Sequence, residues 1–157
     1  MIKPAVTTNK SGFTMIEILL VIAMIGAMMA IVTIRVIGPE KYARDTRREN
    51  DLKQYANALE IYINRTSGLY PVFTNTVAAI SLCGTGKPLG DIPCLDDLHA
   101  GSVPDYGYNY QSDAGGTRYV LWGKLEKITG FYVVCSDGNS GILERTRLTV
   151  SNGNCPI

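Results

Sequence analysis

An apolar run near the N-terminus most limits what this chain can fold into. From Ile18 to Ile34, Thr33 is the only residue that is neither apolar nor glycine. Counted from Phe13, a helix through this run would be about 33 Å long at roughly 1.5 Å per residue, which matches a hydrocarbon core of roughly 30 Å. A soluble core helix of this length would show a polar face, and this run has none. The sequence therefore predicts one membrane-spanning helix.

The residues before the apolar run form a short basic leader. Residues 1–12 are polar and contain Lys3 and Lys10, and the apolar region follows Gly12. A secretory signal peptide has the opposite order, because its apolar region precedes the cleavage site. Glu17 lies just inside the predicted helix, where a carboxylate costs roughly 2.5–3.5 kcal/mol if it reaches the bilayer centre without a partner. The alternative is that this side chain snorkels to the lipid headgroups.

The segment Lys10-Ser11-Gly12-Phe13-Thr14-Met15-Ile16-Glu17 resembles the cleavage and methylation segment of type IV prepilins and type II secretion pseudopilins. This resemblance implies that a prepilin peptidase cuts after Gly12 and methylates the new N-terminus at Phe13. It also implies that Glu17 pairs with the N-terminal amine of a neighbouring subunit in a filament.

The resemblance and the residue pattern predict an α+β, pilin-like fold. A long N-terminal helix, membrane-spanning in one half and amphipathic in the other, would pack on a small antiparallel β-sheet. We expect four segments: a removed leader at 1–12, a transmembrane and assembly helix at 13–37, its amphipathic continuation at 38–68, and an extracytoplasmic globular head at 69–157.

The amphipathic continuation is predicted from apolar residues at three- and four-residue spacing: Leu52, Tyr55, Ala56, Leu59, Tyr62 and Ile63. Gly38 and Pro39 predict a kink, because proline removes a backbone donor and clashes with the preceding turn; the alternative is simply the end of the membrane helix. The mixed-sign run at 44–51 is expected to be a solvated helix face, or else a subunit contact. Gly68 is the predicted helix stop, and the turn at 67–71 resembles the major pseudopilin type.

The last third of the chain predicts antiparallel strands at Tyr106–Tyr110, Tyr119–Leu125, Phe131–Cys135 and Leu143–Val150, because apolar and aromatic residues there are separated by turn residues. The connection at 72–104 is irregular, with one short helical turn or strand at 77–82. We interpret the many tyrosines as core and sheet-face residues rather than as a stacking platform for bases or sugars.

Four cysteines follow the apolar run: Cys83, Cys94, Cys135 and Cys155. Four cysteines allow three pairings. Pairing neighbours closes loops of about 12 and 21 residues, each worth about 3 kcal/mol in lost unfolded-state entropy. We therefore favour Cys83–Cys94 and Cys135–Cys155, which predicts an oxidising, extracytoplasmic location.

Residues for metal binding or catalysis are sparse. Asp137 and Asn139 lie in a loop that resembles part of the calcium-binding region of major pseudopilins, but one carboxylate is few for an ion that takes six to eight oxygens. A plain turn is the favoured interpretation, with no cofactor. The single histidine, His99, has no evident nucleophile near it in sequence, so an enzyme is not expected.

The predicted function is a structural filament subunit of a type II secretion pseudopilus or a type IV pilus-like assembly. The resemblance implies copies of itself, a prepilin peptidase, an inner-membrane assembly platform and membrane lipid as partners. Loss of Lys3 and Lys10 with the leader would change the formal net charge from +1 to −1, which gives no reason to expect nucleic acid. The alternatives are an adhesive, twitching or DNA-uptake pilin, or a single-pass anchored binding domain that never polymerises.

Overall fold

The computed structural model describes residues 12–32, 39–90, 94–101 and 106–157. The chain divides into two compact units on either side of the bond between Pro39 and Glu40. The first contains helix α1 (Met15–Val32), and the second contains helix α2 (Pro39–Arg65) from its second residue onward together with a five-stranded antiparallel sheet. The predicted α+β, pilin-like class is confirmed. Gly38 lies outside the described residues, so the kink at Gly38 and Pro39 stays a prediction.

Helix α2 buries the stripe that its sequence period predicts. Leu52 and Leu59 are fully buried, and Tyr55 and Ala58 are nearly so. Ala56, Tyr62 and Ile63 pack against the same core from its edge. The helix begins at proline, whose fixed φ and missing N–H suit the first helical position. It ends before Gly68, which adopts a positive φ of 81°.

The sheet has its strands in chain order, each antiparallel to the next. They are β1 (Val77–Ala78), β2 (Asn109–Ser112), β3 (Tyr119–Lys124), β4 (Phe131–Cys135) and β5 (Ser140–Leu143). A 3-10 turn at Ala79–Leu82 follows β1 directly. The segment at 77–82 therefore holds both of the structures that its sequence suggested as alternatives.

The front face of the sheet packs on α2. Tyr110, Leu121 and Val134 lie opposite one another in successive strands and join the α2 stripe in one core. Gly123 permits a close approach, because a Cβ there would lie 3.3 Å from the Leu52 side chain. The buried Tyr110 hydroxyl donates to the Pro71 carbonyl at 2.8 Å. The tyrosines Tyr108, Tyr110, Tyr119 and Tyr132 are all buried, which confirms their interpretation as core residues.

The back face of the sheet is covered by the C-terminal segment. Val120, Trp122, Phe131, Val133 and Cys135 form a second apolar cluster, against which Leu143, Leu148, Val150 and Cys155 pack. The sheet is thus buried on both faces, by a helix on one side and by irregular chain on the other.

Two strand predictions were wrong in position. The strand expected at Tyr106–Tyr110 is β2, which starts three residues later. The strand expected at Leu143–Val150 is instead β5, which ends at Leu143. Leu143 pairs with Phe131, the first residue of β4, so the ladder has no partner beyond it. The apolar residues after Leu143 cover the back face instead.

Candidate functional site

The predicted cleavage site lies in non-helical chain immediately before α1. Gly12 and Phe13 are both exposed, with 81% of the Phe13 surface accessible. Among the described residues, and apart from its chain neighbours, no heavy atom lies within 4 Å of the place where a Cβ on Gly12 would be. Exposed, non-helical chain is where proteolysis concentrates, so this peptide bond is open to a protease.

Thr14 fixes where α1 begins. Its hydroxyl accepts the backbone N–H of Glu17 at 3.3 Å, and its carbonyl accepts the backbone N–H groups of Glu17 and Ile18. This is the arrangement of a helix N-cap, which satisfies donors that have no partner within the helix. Thr14 had no predicted role, although a threonine three residues before a glutamate is the spacing of a capping box.

The surface of α1 is apolar and uncovered in the single chain. Every side chain from Phe13 to Ala30 is exposed. Among the described residues, no basic side chain lies within salt-bridge distance of the Glu17 carboxylate, which is exposed in the first helical turn.

In the described part of the chain, no helix is both long enough and apolar enough to cross a membrane.

A cluster of buried and partly buried charges joins α2 to two loops of the head. We call it the arginine cluster; its members are Arg44, Asp45 and Arg48 of α2, Asp97 of the loop at 94–101, and Glu126 of the turn between β3 and β4. Arg48 is 2% exposed. It donates to Asp45 at 2.7 Å, to Glu126 at 2.5 Å, and through two nitrogens to Asp97.

The turn between β3 and β4 is also held by its backbone. The Asp45 carboxylate accepts the N–H groups of Glu126 and Lys127, both at 2.9 Å. Arg44 donates to both carboxylate oxygens of Glu126, at 2.7 to 3.0 Å. Paired donors in this fork geometry give the strongest of the charge-assisted hydrogen bonds. The first turns of α2 therefore fix the hairpin tip in place.

The arginine cluster favours the ionised forms of Glu126 and Asp97. Hydrogen bonds from Arg44, opposed by burial and reinforced by Arg48, lower the pKa of Glu126 to about 2. Burial acts to raise the pKa of Asp97, but hydrogen bonds from Arg48 and from the backbone of His99 outweigh it and lower that pKa. Burial acts to lower the pKa of Arg48, and its hydrogen bonds with Asp97, Glu126 and Asp45 raise it instead.

The expectation that residues 44–51 form a solvated helix face is therefore wrong for three of the eight residues, whereas Thr46, Arg47 and Asn50 are exposed as expected. Asp45, Arg48 and Asp51 are each less than 7% exposed. The Asp51 carboxylate accepts the hydroxyl of Tyr108 at 2.8 Å. Only the other side of the helix, represented by Arg47 with 52% of its side chain exposed, faces solvent.

His99 lies beside the arginine cluster. Its Nδ1 atom is 3.5 Å from Asp97 and 3.6 Å from Glu126, and its side chain is 40% exposed. Its ring also lies 6.0 Å from that of Tyr106. These neighbours are carboxylates already bound to arginine, which suits a structural contact rather than general base catalysis.

Of the four cysteines, two form a disulfide and two do not. Cys135 and Cys155 form a disulfide that ties the end of β4 to the C-terminal segment, which confirms that predicted pair. Cys83 and Cys94 are not joined, and their side chains lie within hydrogen-bond reach of each other. The predicted Cys83–Cys94 disulfide therefore stays a prediction.

The candidate calcium loop is a tight turn between β4 and β5. Both Asp137 carboxylate oxygens accept hydrogen bonds from Asn139, one from its backbone at 3.0 Å and one from its side chain at 2.9 Å. Gly138 has a positive φ of 86°, as this turn requires. Cys135 and Cys155 lie close to Asp137, but their sulfurs are already bonded to each other. The loop fits the plain-turn interpretation.

Comparison with known proteins gives two matches. A family model described as "Prokaryotic N-terminal methylation motif" matches residues 7–33. The chain is 33% identical over 111 residues to the type II secretion system core protein G of Pseudomonas aeruginosa. The matched region covers 70% of this chain and 78% of that relative. No solved structure matches the chain significantly.

Replacing Arg48 with methionine should leave buried carboxylates without their partner. We expect Arg48→Met to lower the free energy of unfolding by roughly 3–5 kcal/mol, because an uncompensated buried charge is costly. Lys41→Met, on the same helix but exposed, should change it by less than about 0.5 kcal/mol. Urea unfolding of the full chain in detergent, followed by Trp122 fluorescence, measures both. Equal losses would show that the cluster does not hold the head together.

Acid should release part of the same stabilisation. The pKa of Glu126 is about 2 in the folded chain, against an ordinary 4.5. Its contribution to stability is therefore complete above about pH 4.5 and is lost as the pH falls towards 2. When the pH falls from about 5 to 2, the free energy of unfolding of Glu126→Gln should decrease by roughly 2–3 kcal/mol less than that of the wild type. The control Glu144→Gln, at an exposed position, should show the same pH dependence of the free energy of unfolding as the wild type. If Glu126→Gln shows that same pH dependence as well, Glu126 does not contribute the stabilisation.

Proposed function

The chain belongs to the superfamily of type IV pilins and type II secretion pseudopilins, and on that premise we propose that it is a subunit of a type II secretion pseudopilus, assembled through its N-terminal helix. It is a structural subunit and not an enzyme, as its relationship to core protein G shows. The observation that carries the proposal is the uncovered apolar surface of α1 with Glu17 in its first turn.

Processing by a prepilin peptidase comes first in this proposal. The peptidase would cut between Gly12 and Phe13 and methylate the new amine of Phe13. The support is that both residues are exposed and lie in non-helical chain. Because Thr14 caps the helix, cleavage would leave α1 intact, with only two residues ahead of it.

Assembly would then bring α1 helices of different copies together. In membrane or in filament, an ionised Glu17 among apolar side chains needs a cationic partner. The amine of Phe13 on a neighbouring copy is suitable, because it exists only after cleavage. The pairing would thus admit processed subunits and reject unprocessed ones.

The proposed location is the inner membrane, with residues 13–37 spanning it once and the head outside the cytoplasm. The Cys135–Cys155 disulfide supports this placement, because such bonds persist in oxidising compartments. An inner-membrane assembly platform would then draw subunits into a filament in the periplasm or at the cell surface.

One observation favours a second candidate function. A disulfide near the C-terminus, as formed by Cys135 and Cys155, resembles those of type IV pilins. An adhesive, twitching or DNA-uptake pilin is therefore the alternative to a pseudopilin. Both candidates assemble in the same way and differ in where the filament extends.

Glu17→Ala should be cleaved normally but should assemble poorly, in cells that contain the peptidase and platform. Glu17→Ala leaves the Phe13 amine of the neighbouring copy buried without its partner, which is strongly unfavourable, and should reduce filament number by more than about tenfold. Electron microscopy counts the filaments, and mobility on gels reports cleavage. Glu17→Asp, which keeps the charge, should assemble better than Glu17→Ala. Normal filaments from Glu17→Ala would refute the pairing, and no filaments from the wild type would refute the function.

A further inference from the structure

We propose that Cys83 and Cys94 form an ordered dithiol, in which Cys94 attacks a disulfide oxidant first and Cys83 then closes a second intramolecular disulfide. The sequence suggested only that these cysteines pair. The structure adds which thiol reacts first. That the oxidant meets the chain outside the cytoplasm depends on the proposed function, whereas the order of reaction does not.

Cys83 and Cys94, the first and last residues of the range 83–94, have their thiols close together. Cys83 directly follows the 3-10 turn at 79–82, and the loop folds back at once: the Gly84 N–H donates to the Gly90 carbonyl at 2.8 Å, and the Leu89 N–H donates to the Leu82 carbonyl at 2.9 Å. At the other end, the Tyr55 hydroxyl of α2 donates to the Leu95 carbonyl at 2.7 Å. The Cys83 and Cys94 side chains lie within hydrogen-bond reach of each other.

The two thiols differ in their surroundings. Cys83 is 8% exposed and belongs to the main core, and its Sγ–H donates to the Tyr55 hydroxyl at 3.9 Å. Cys94 is only half-buried. A soluble oxidant can therefore reach Cys94 more readily than Cys83.

Acidity reinforces this order. Burial and the hydrogen bond with Cys94 raise the pKa of the Cys83 thiol to about 12, although the hydrogen bond with Tyr55 acts to lower that pKa. The thiolate is the nucleophile in disulfide exchange, so Cys83 is a poor first attacker at neutral pH. It can still act second, because the sulfur that it must attack is then held beside it.

Glutathione disulfide serves as the oxidant in this scheme. The Cys94 thiolate attacks one of its sulfurs, a mixed disulfide forms, and the first glutathione leaves as a thiolate that takes up a proton. Cys83 then gives its proton to solvent and attacks the Cys94 sulfur, which releases the second glutathione. Two protein thiols are oxidised, and one disulfide is reduced to two thiols.

The new bond would fix one wall of an apolar cavity of about 320 Å³. Leu89 and Leu95 line it from the loop, Tyr55, Ala58 and Ile61 line it from α2, and Cys83 contributes at the junction. Oxidation would tie the loop side of this cavity to the core by a covalent bond rather than by hydrogen bonds alone.

Glutathione disulfide is the probe that tests the order. The full chain in detergent, with Cys83 and Cys94 reduced and the Cys135–Cys155 bond shown to be intact, is exposed to it and then alkylated. Peptide mass mapping should find a Cys83–Cys94 bond in the wild type. Cys83→Ala should keep glutathione on Cys94, because no second thiol displaces it. In Cys94→Ala, modification of Cys83 should be more than about tenfold slower than modification of Cys94 in Cys83→Ala.

Controls separate this proposal from simple misfolding and from the proposed function. Trp122 fluorescence should show that both variants are folded, and Cys83→Ser provides a second variant if alanine in the core fails. Faster modification of Cys83 than of Cys94, or a wild type that keeps two thiols, would overturn the proposal. A chain that follows this order but forms no filaments would refute the function and leave the dithiol intact.

Discussion

The buried guanidinium of Arg48 is the constraint on which the head depends. A guanidinium removed from water costs several kcal/mol unless carboxylates surround it, and here they come from three separate segments. Asp45 lies on the same helix, Asp97 on the loop at 94–101, and Glu126 on the turn between β3 and β4. Loss of any of these neighbours would leave a charge buried with fewer partners. The cluster therefore holds the loop and the hairpin against the start of α2, at the end of the helix where the apolar stripe has not yet begun.

Apolar packing completes what the cluster begins. Beyond Arg48, the stripe from Leu52 to Leu59 fills the front face of the sheet, and the C-terminal segment, tied by Cys135–Cys155, fills the back. The head thus has its own core, whereas α1 leaves all of its described side chains from Phe13 to Ala30 exposed. This division suits a filament subunit, because a self-sufficient head leaves the apolar helix available for copies of itself.

Periodicity and local motifs were the predictable part of this chain. Apolar spacing predicted α2 and its buried face. The resemblance to the prepilin cleavage segment predicted roles for Gly12, Phe13 and Glu17, and these roles stay predictions. The capping role of Thr14 was equally readable from its spacing to Glu17. What local pattern did not contain was long-range pairing. A run such as Arg44 to Asp51 looks solvated until Asp97 and Glu126 are placed beside it, and both lie some 50 to 80 residues away. Likewise, Leu148 and Val150 resemble a strand until the ladder is seen to end at Phe131.

The claim that the N-terminal segment is an assembly device, rather than a plain anchor, has one direct test. Intact-mass and N-terminal peptide mass spectrometry of the chain, isolated from membranes of cells that contain a prepilin peptidase, determines where the mature protein starts. The account predicts a chain that begins at Phe13, carries one added methyl group on its amine, and retains 145 of the 157 residues. A chain that still carries residues 1–12 would contradict it.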